Sequence, residues 1–486
     1  MNTIRIFILA SICFKAGMLL AGTGVNNDKT NFIIIIGDDI SIDDFGAYGH
    51  PKINTPHIDK IAKKGMRFNN AYLTTSSCSP SRASIITSRY PHNTGAPELH
   101  MPLPGDQTSI AQLLKEQGFY TLAAGKWHLG KEAKKGFHKV LDSRPGGEEL
   151  WVKSLEERPT DKPFFMWFAA HDAHRGWQDY SKAKPHAPED AVIPPYMIDT
   201  DSVRADMARY YDEIQRFDRY IGQVFKELNR QNILENTVVI IMADNGRPFP
   251  RSKTRLYDSG IKTPFIVHWP SRITSGNVVS ESLISVIDIG PTVLEIAGID
   301  KPSSFQGRSF STLLTNSEES ICEYVFAEHN WHVQTAHERM VRSGDFVYIR
   351  NAYPWLPQIC GIDFQNPQQE LKKMAAQGLL TEAQNDPLLE PRLPEELYDV
   401  KNDPYQIHNI AQDLAYRDIL NSLRKIMDEW QSSTGDSTPT FENATPDRIN
   451  RWTGESINGL DFAHVPGGEI PGAVNKADAI NDPGPR

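Results

Sequence analysis

The chain reads as an α/β protein, with a mainly parallel central sheet flanked by helices. A smaller C-terminal subdomain with an antiparallel sheet and a helix follows. Three observations lead there: short apolar runs that each end in a polar cluster, a long periodic helix between two of them, and a change of pattern after about residue 315.

The runs show no polar alternation. Residues 32–36 lead into Gly37, Asp38 and Asp39, residues 120–124 into Gly125, Lys126, Trp127 and His128, residues 164–170 into His171, Asp172, Ala173 and His174, and residues 238–243 into Asp244, Asn245 and Gly246. A strand with one wet face would alternate, so such runs fit parallel strands covered on both sides. The spacing predicts a helix over 202–228, with Met207, Tyr211, Ile214, Phe217, Ile221, Val224 and Leu228 on one face. Glu213, Arg216, Asp218, Arg219 and Lys226 are expected on the polar face, with Asp201 and Ser202 as cap. Ligands of such sheets bind beyond the carboxyl ends of the strands, so the four polar clusters are expected to converge.

Past residue 315, Val341 to Ile349 and the LYDVKNDP segment (397–404) predict short strands, and Ile407 to Trp430 a closing helix. The expected organisation is a leader over 1–24, a catalytic domain over 25–315, a C-terminal subdomain over 316–431, and a wrapping tail over 432–486 rich in Pro, Gly, Asn and Asp.

The 486 residues, 39% hydrophobic and 23% charged, are those of an ordinary globular protein. A formal net charge of −10 argues against a general nucleic-acid binder. At the N-terminus Arg5 precedes the apolar run Ile6 to Phe14, Lys15 interrupts, and Ala16 to Leu20 leads to small residues at Ala21 to Gly24. This reads as an export signal, hence a secreted or periplasmic protein. No later stretch reaches the ~18 apolar residues of a membrane span. Of four cysteines, Cys13 lies in the leader, and Cys322 and Cys360 are either a disulfide or two buried thiols.

Cys78 stands apart, in Ser76-Ser-Cys-Ser-Pro-Ser-Arg82. Pro80 suits a first helical position and Ser79 its cap, which puts Cys78 just before a helix N-terminus, where an anion is favoured. Arg82 leans back over it. A cation and a helix start beside a thiol predict a reactive thiolate. Asp38, Asp39, Asp244 and Asn245 supply hard oxygen ligands suited to Ca²⁺, and less well to Mg²⁺. Lys126, His128 and His174 fall in the strand-end clusters, and Lys253 lies in KTRLYDSG. Cations and proton carriers are what a multiply charged oxyanion group requires.

These residues resemble the formylglycine-dependent sulfatases. Cys78-Ser-Pro-Ser-Arg82 is similar to their signature, and the likeness continues through Asp38-Asp39, GKWHLG (125–130), HDAH (171–174), ADNG (243–246) and LYDVKNDP. DNGRPFPRSKTRLYDSGIKTP (244–264) and YYDEIQRFDRYIG (210–222) resemble the sulfamidase branch, which cleaves N-sulfate from glucosamine in heparan chains and includes bacterial enzymes acting on O-sulfated polysaccharides. The resemblance implies an alkaline-phosphatase-like fold, a Cys78 oxidised to an aldehyde by a maturation enzyme, and a calcium ion on Asp38, Asp39, Asp244 and Asn245. It further implies Arg82, Lys126, His128, His174 and Lys253 as catalytic residues and a sulfated saccharide as substrate. Arg175, His332, His337 and Arg342 lie where such enzymes meet the sugar.

Three other readings compete. A phosphatase or phosphodiesterase of the same superfold would want Ser or Thr as nucleophile and a His/Asp set for two zinc ions. A non-catalytic binder of sulfated glycans would show losses in the nucleophile motif. A cysteine hydrolase pairing Cys78 with His128 or His174 gives the four oxygen ligands no role.

Overall fold

The computed structural model describes residues 29–143, 146–177, 184–332, 336–356, 366–438 and 479–486. Residues 1–24, expected as a leader, Cys360 and most of the tail lie outside them.

The described strands are β1 (Asn31–Gly37), β2 (Met66–Phe68), β3 (Ala71–Tyr72), β4 (Tyr120–Gly125), β5 (Lys139–Leu141), β6 (Phe164–Ala169), β7 (Thr237–Ala243), β8 (Phe265–His268), β9 (Val278–Ser280), β10 (Ile284–Ser285), β11 (Tyr324–His329), β12 (Glu338–Ser343), β13 (Phe346–Asn351) and β14 (Glu395–Asp399). Eight form one sheet in the order β5-β4-β6-β1-β7-β8-β2-β9. Its centre is parallel: β1 pairs with β6 and β7, and β4 with β5 and β6. β8 runs antiparallel between β7 and β2.

The uniform apolar runs have the expected cause. Ile34 and Ile36 of β1 enter one core with Trp167, Ile240 and Met242, while Ile33 and Ile35 enter a second with Met166, Phe168 and Ile241. Both faces are buried, so neither tolerates polar alternation.

The helix Asp201–Arg230 closes the second core with Met207, Tyr211, Ile214, Phe217, Ile221, Val224 and Leu228. It is capped by Thr200, whose hydroxyl accepts from Val203 N, rather than by Asp201 or Ser202. Its expected polar face is also different: Glu213, Arg216 and Asp218 are buried. Arg216 pairs with Asp172 and Glu148, and Asp218 accepts the Ile58 amide at 2.7 Å. That amide belongs to the first turn of the helix Pro56–Lys64, so Asp218 acts as a cap from a neighbouring element.

β11 to β14 form an antiparallel sheet in sequence order. One face packs Phe326, Val341, Tyr348 and Leu397 on Leu423, Met427 and Trp430 of the helix Arg417–Thr434. The other face adds Val325, Met340, Val347 and Ile349 to the first core, joining this unit to the large sheet. Val341 to Ile349 spans the end of β12, a turn at Gly344 and the start of β13. The closing helix starts ten residues later than 407, because Asp403, Asn409 and Asp413 turn their carboxylate and amide oxygens onto local amides, as turn-forming side chains do. Of the tail, residues 479–486 are described. Arg89 donates to the Ile480 carbonyl at 2.8 Å and Arg486 pairs with Asp288 at 2.6 Å. No described helix is long and apolar enough to cross a membrane.

Candidate active site

Backbone bonds lace the ends of three neighbouring parallel strands together. Asp38 N donates to the Asp172 carbonyl at 2.7 Å, Asp244 N to the Gly37 carbonyl at 3.1 Å, and Ile40 N to the Asn245 carbonyl at 2.9 Å. β4 joins them where Lys126 N donates to the Ala169 carbonyl at 2.9 Å. Gly125 stands at that crossing with φ +102, where a Cβ would collide with the same carbonyl, so only glycine fits. Asp39 and His128 also take left-handed backbone conformations, at φ 59 and 52. Such strain in non-glycine residues is held by surrounding structure and clusters at functional sites.

The helix Cys78–Thr87 delivers the nucleophile candidate. Cys78 is its first residue and Ser77 its N-cap, two positions earlier than expected from Pro80 and Ser79. The serines are otherwise engaged: Ser77 Oγ bonds His332 Nδ1 at 2.8 Å, and Ser79 Oγ accepts the His100 amide at 2.7 Å. Arg82, one turn on, donates through Nε to Asp244 Oδ2 at 2.7 Å and through Nη1 to the Lys126 carbonyl at 3.3 Å. Cys78 packs with Leu99 and with Trp331. Its thiol donates to Asp38 Oδ1 at 3.7 Å and approaches Asp39 Oδ1 at 3.9 Å.

The expectation of a thiolate is overturned. Burial pushes the Cys78 thiol up to about 12; Lys126 and Lys253 oppose the shift, while Asp38 and Asp244 add to it. A protonated, enclosed thiol is a poor nucleophile, which weighs against the cysteine-hydrolase reading.

Asp38, Asp39, Asp244 and Asn245 come together, all fully buried. Against the cost of burial, Lys126 foremost and then His174 hold the Asp38 carboxyl well below the usual carboxylate range. Burial outweighs Arg82 at Asp244 and raises it to about 7. The donor set fits a hard divalent cation: oxygen ligands only from these four residues, and the buried Oδ1 of Asn245 has no hydrogen-bond partner. Ligand atoms of Asp38, Asp39 and Cys78 lie within 4.8 Å of one another. Among the described residues no His/Asp set for two zinc ions accompanies them.

Around this cluster stand the cations. Lys126 Nζ pairs with Asp38 Oδ2, and Lys253 Nζ with Asp39 Oδ2 at 2.7 Å. Despite burial, those carboxylates raise both lysines, so each stays charged. His128 is lowered well below the usual histidine value, by burial first and then by Lys126 and His100. Its Nε2 shares a hydrogen bond of 2.8 Å with His100 Nδ1, and its Nδ1 is buried without a partner. His174 is exposed at the rim, where Lys253 and then burial of its inner side lower it. Nothing in the sequence singled out His100, a lone histidine in a loop.

The four expected sugar contacts separate. His332 is beside the Cys78 helix through Ser77. Arg175 is occupied, paired with Asp206 at 2.7 Å, donating to the Pro248 carbonyl and stacked on Phe249. His337 reaches the Ser437 carbonyl at 3.3 Å and packs on Tyr353. Arg342 lines a different cavity, bounded by Asp258, Lys262 and Tyr405.

The Sulfatase family model matches residues 30–155 and 148–299, and the model for the C-terminal part of N-sulphoglucosamine sulphohydrolase matches residues 251–386. An ulvan-active sulfatase of Formosa agariphila is 29% identical over 474 residues, covering 85% of this chain and 77% of the relative. The N-sulphoglucosamine sulphohydrolase of Homo sapiens is 30% identical over 457 residues, covering 84% and 90%. Among solved structures, one in complex with its substrate D-glucosamine-2-N,6-O-disulfate superimposes with a TM-score of 0.64 at 20% identity, covering 83% of this chain and 98% of that one. A 2-O GAG sulfatase does so with a TM-score of 0.62 at 22% identity, covering 84% and 93%. Sheet order and superposition together define the alkaline-phosphatase-like fold class. The chain belongs to the sulfatase family, in its sulfamidase-like part, and is a sulfatase enzyme.

Proposed function

We propose that this enzyme is an exported hydrolase that removes sulfate from sulfated saccharides, as esters or sulfamates, through a formylglycine made from Cys78. The observation that carries this reading is that Cys78 lies against Asp38 and Asp39, which hold Lys126 and Lys253, with Arg82 fixed on Asp244 beside them. The relatives, one acting on ulvan and one on N-sulphoglucosamine, support polysaccharide or glycosaminoglycan substrates. The leader over 1–24 supports export.

Asp38, Asp39, Asp244 and Asn245 would hold Ca²⁺, which supplies Lewis acidity and a template for sulfate oxygens. A maturation enzyme, drawing on dioxygen as external oxidant, would oxidise the Cys78 CH₂SH by two electrons to CHO, with the sulfur leaving as H₂S. The hydrate of this aldehyde carries two hydroxyls on one carbon: the oxygen of one would bond to sulfur as the S–O or S–N bond to the substrate breaks, and deprotonation of the other would form C=O as the C–O bond to sulfate breaks. The chain's own residues do the rest. Lys126 and Lys253 stabilise charge on the transferring group without reorganising, being already fixed by Asp38 and Asp39. His174, exposed at the rim, donates a proton to the leaving alcohol or amine. His128, held neutral, accepts the proton of the second hydroxyl. His332 orients the helix start through Ser77.

The test is sulfate release from N-sulfated glucosamine, its 6-O-sulfated isomer, and O-sulfated oligosaccharides of algal and animal glycans. Release from one of these classes is expected and names the bond. No release from any of them, with residue 78 converted and calcium present, overturns the reading.

A further inference from the structure

Arg342 was grouped with the catalytic site by its place in the sequence, yet it lines a cavity of about 490 Å³ that shares no residue with that site. The cavity lies between the end of β12, the turn after β14 and the segment 258–262 of the catalytic part. On β12, Arg342 is on the same side as Met340, facing the large sheet, and is only 5% exposed.

The carboxylates around it all have partners of their own. Asp43 pairs with Arg247, Asp258 with Lys262 at 3.8 Å, and Asp345 with Lys401 at 3.8 Å. Glu281 accepts from Asn69 at 2.5 Å and from Asn70 at 3.2 Å. Arg342 has no carboxylate within ion-pair range among the described residues, and its Nε and Nη1 are buried without a hydrogen-bond partner. A buried guanidinium with two unmet donors is costly unless something accepts from it. Its planar fork matches a carboxylate or sulfate. At the rim stands Tyr405, 45% exposed, its ring 6.3 Å from that of Tyr196. An exposed aromatic face beside a polar cavity of this size accommodates a sugar ring.

We propose that this cavity is a second saccharide site, holding one anionic sugar of the substrate chain by its carboxylate or sulfate on Arg342 and its ring on Tyr405. The proposal rests on the saccharide reading above. It is tested by binding without turnover, so a failed release assay and a failed binding assay remain distinguishable.

The experiment is calorimetric titration of the full chain carrying Cys78→Ala. Four probes are used: a glucuronosyl-N-acetylglucosamine disaccharide, 6-O-sulfated N-acetyllactosamine, unsulfated N-acetyllactosamine, and inorganic sulfate. At least one anionic disaccharide is expected to bind more tightly than the neutral one and than inorganic sulfate, and the tighter of the two identifies the anion. Adding Arg342→Gln is expected to weaken that binding about tenfold or more, the scale of a hydrogen-bonded charge, and to the same extent when Lys253→Ala is also present. If Arg342→Gln fails to fold, Tyr405→Ala, an exposed change, is expected to weaken binding instead. Equal binding of all probes, no binding, no effect of the Arg342 or Tyr405 variants, or loss only with Lys253→Ala would overturn the proposal.

Discussion

His100 Nδ1 and His128 Nε2 share a hydrogen bond of 2.8 Å, and their rings lie 4.9 Å apart. The pair lies close to Cys78 in the chain fold, because the His100 amide is anchored on Ser79 Oγ, the residue next to Cys78. His100 is one of the groups that push His128 below the ordinary histidine range, after burial and Lys126. His128 therefore stays neutral until the solution is more acidic than an ordinary histidine would require.

That order has a measurable consequence for the pH profile. The acid limb of kcat, which contains the sulfate-release step, is expected below the ordinary histidine value of about 6.5. His100→Gln removes one lowering influence, so His128 protonates at higher pH and the limb moves toward neutrality. An unmoved limb in His100→Gln would show that His128 is not the group titrating there.

Lys126 and Lys253 are fixed by the carboxylates they neutralise. Replacing either by Ala is expected to lower kcat by about 100-fold or more, the scale of losing a preorganised charge. Loss expressed only in KM would make them binding groups rather than stabilisers of the reacting charge.

The oxygen cluster sets the metal prediction. Chelation is expected to abolish activity and lower Tm, with Ca²⁺ restoring both better than Mg²⁺, because the metal binds only the folded chain. In Asp244→Asn or Asn245→Ala the calcium-dependent rise in Tm should vanish. A rise that survives in both would place the ion elsewhere.

Arg216 is buried among Asp172, Glu148 and Glu149 beneath the HDAH loop. Arg216→Met leaves buried carboxylates without their cation, and a cost of about 3–5 kcal/mol in urea unfolding is expected. A cost near zero would mean that water or a neighbouring group already serves those carboxylates.

The parallel strands were legible because burial on both faces leaves a simple pattern, as in β1 and β7. The oxygen cluster was legible because its members end such strands. Periodicity misled on Glu213, Arg216 and Asp218, since it registers polarity and not the buried partners that make polarity affordable. The protonation of Cys78 was misread for a related reason: sequence showed the nearby cation and helix start, while enclosure and the facing carboxylates arise only in the fold. His100 and Arg342 became informative through contacts made or missing in space.

The most direct test is the mass of the peptide containing residue 78 from purified enzyme whose activity has been measured. The expected result is a peptide in which the Cys78 CH₂SH has become CHO, with activity proportional to the converted fraction across preparations. Full activity in enzyme whose residue 78 is entirely an unmodified thiol would contradict it.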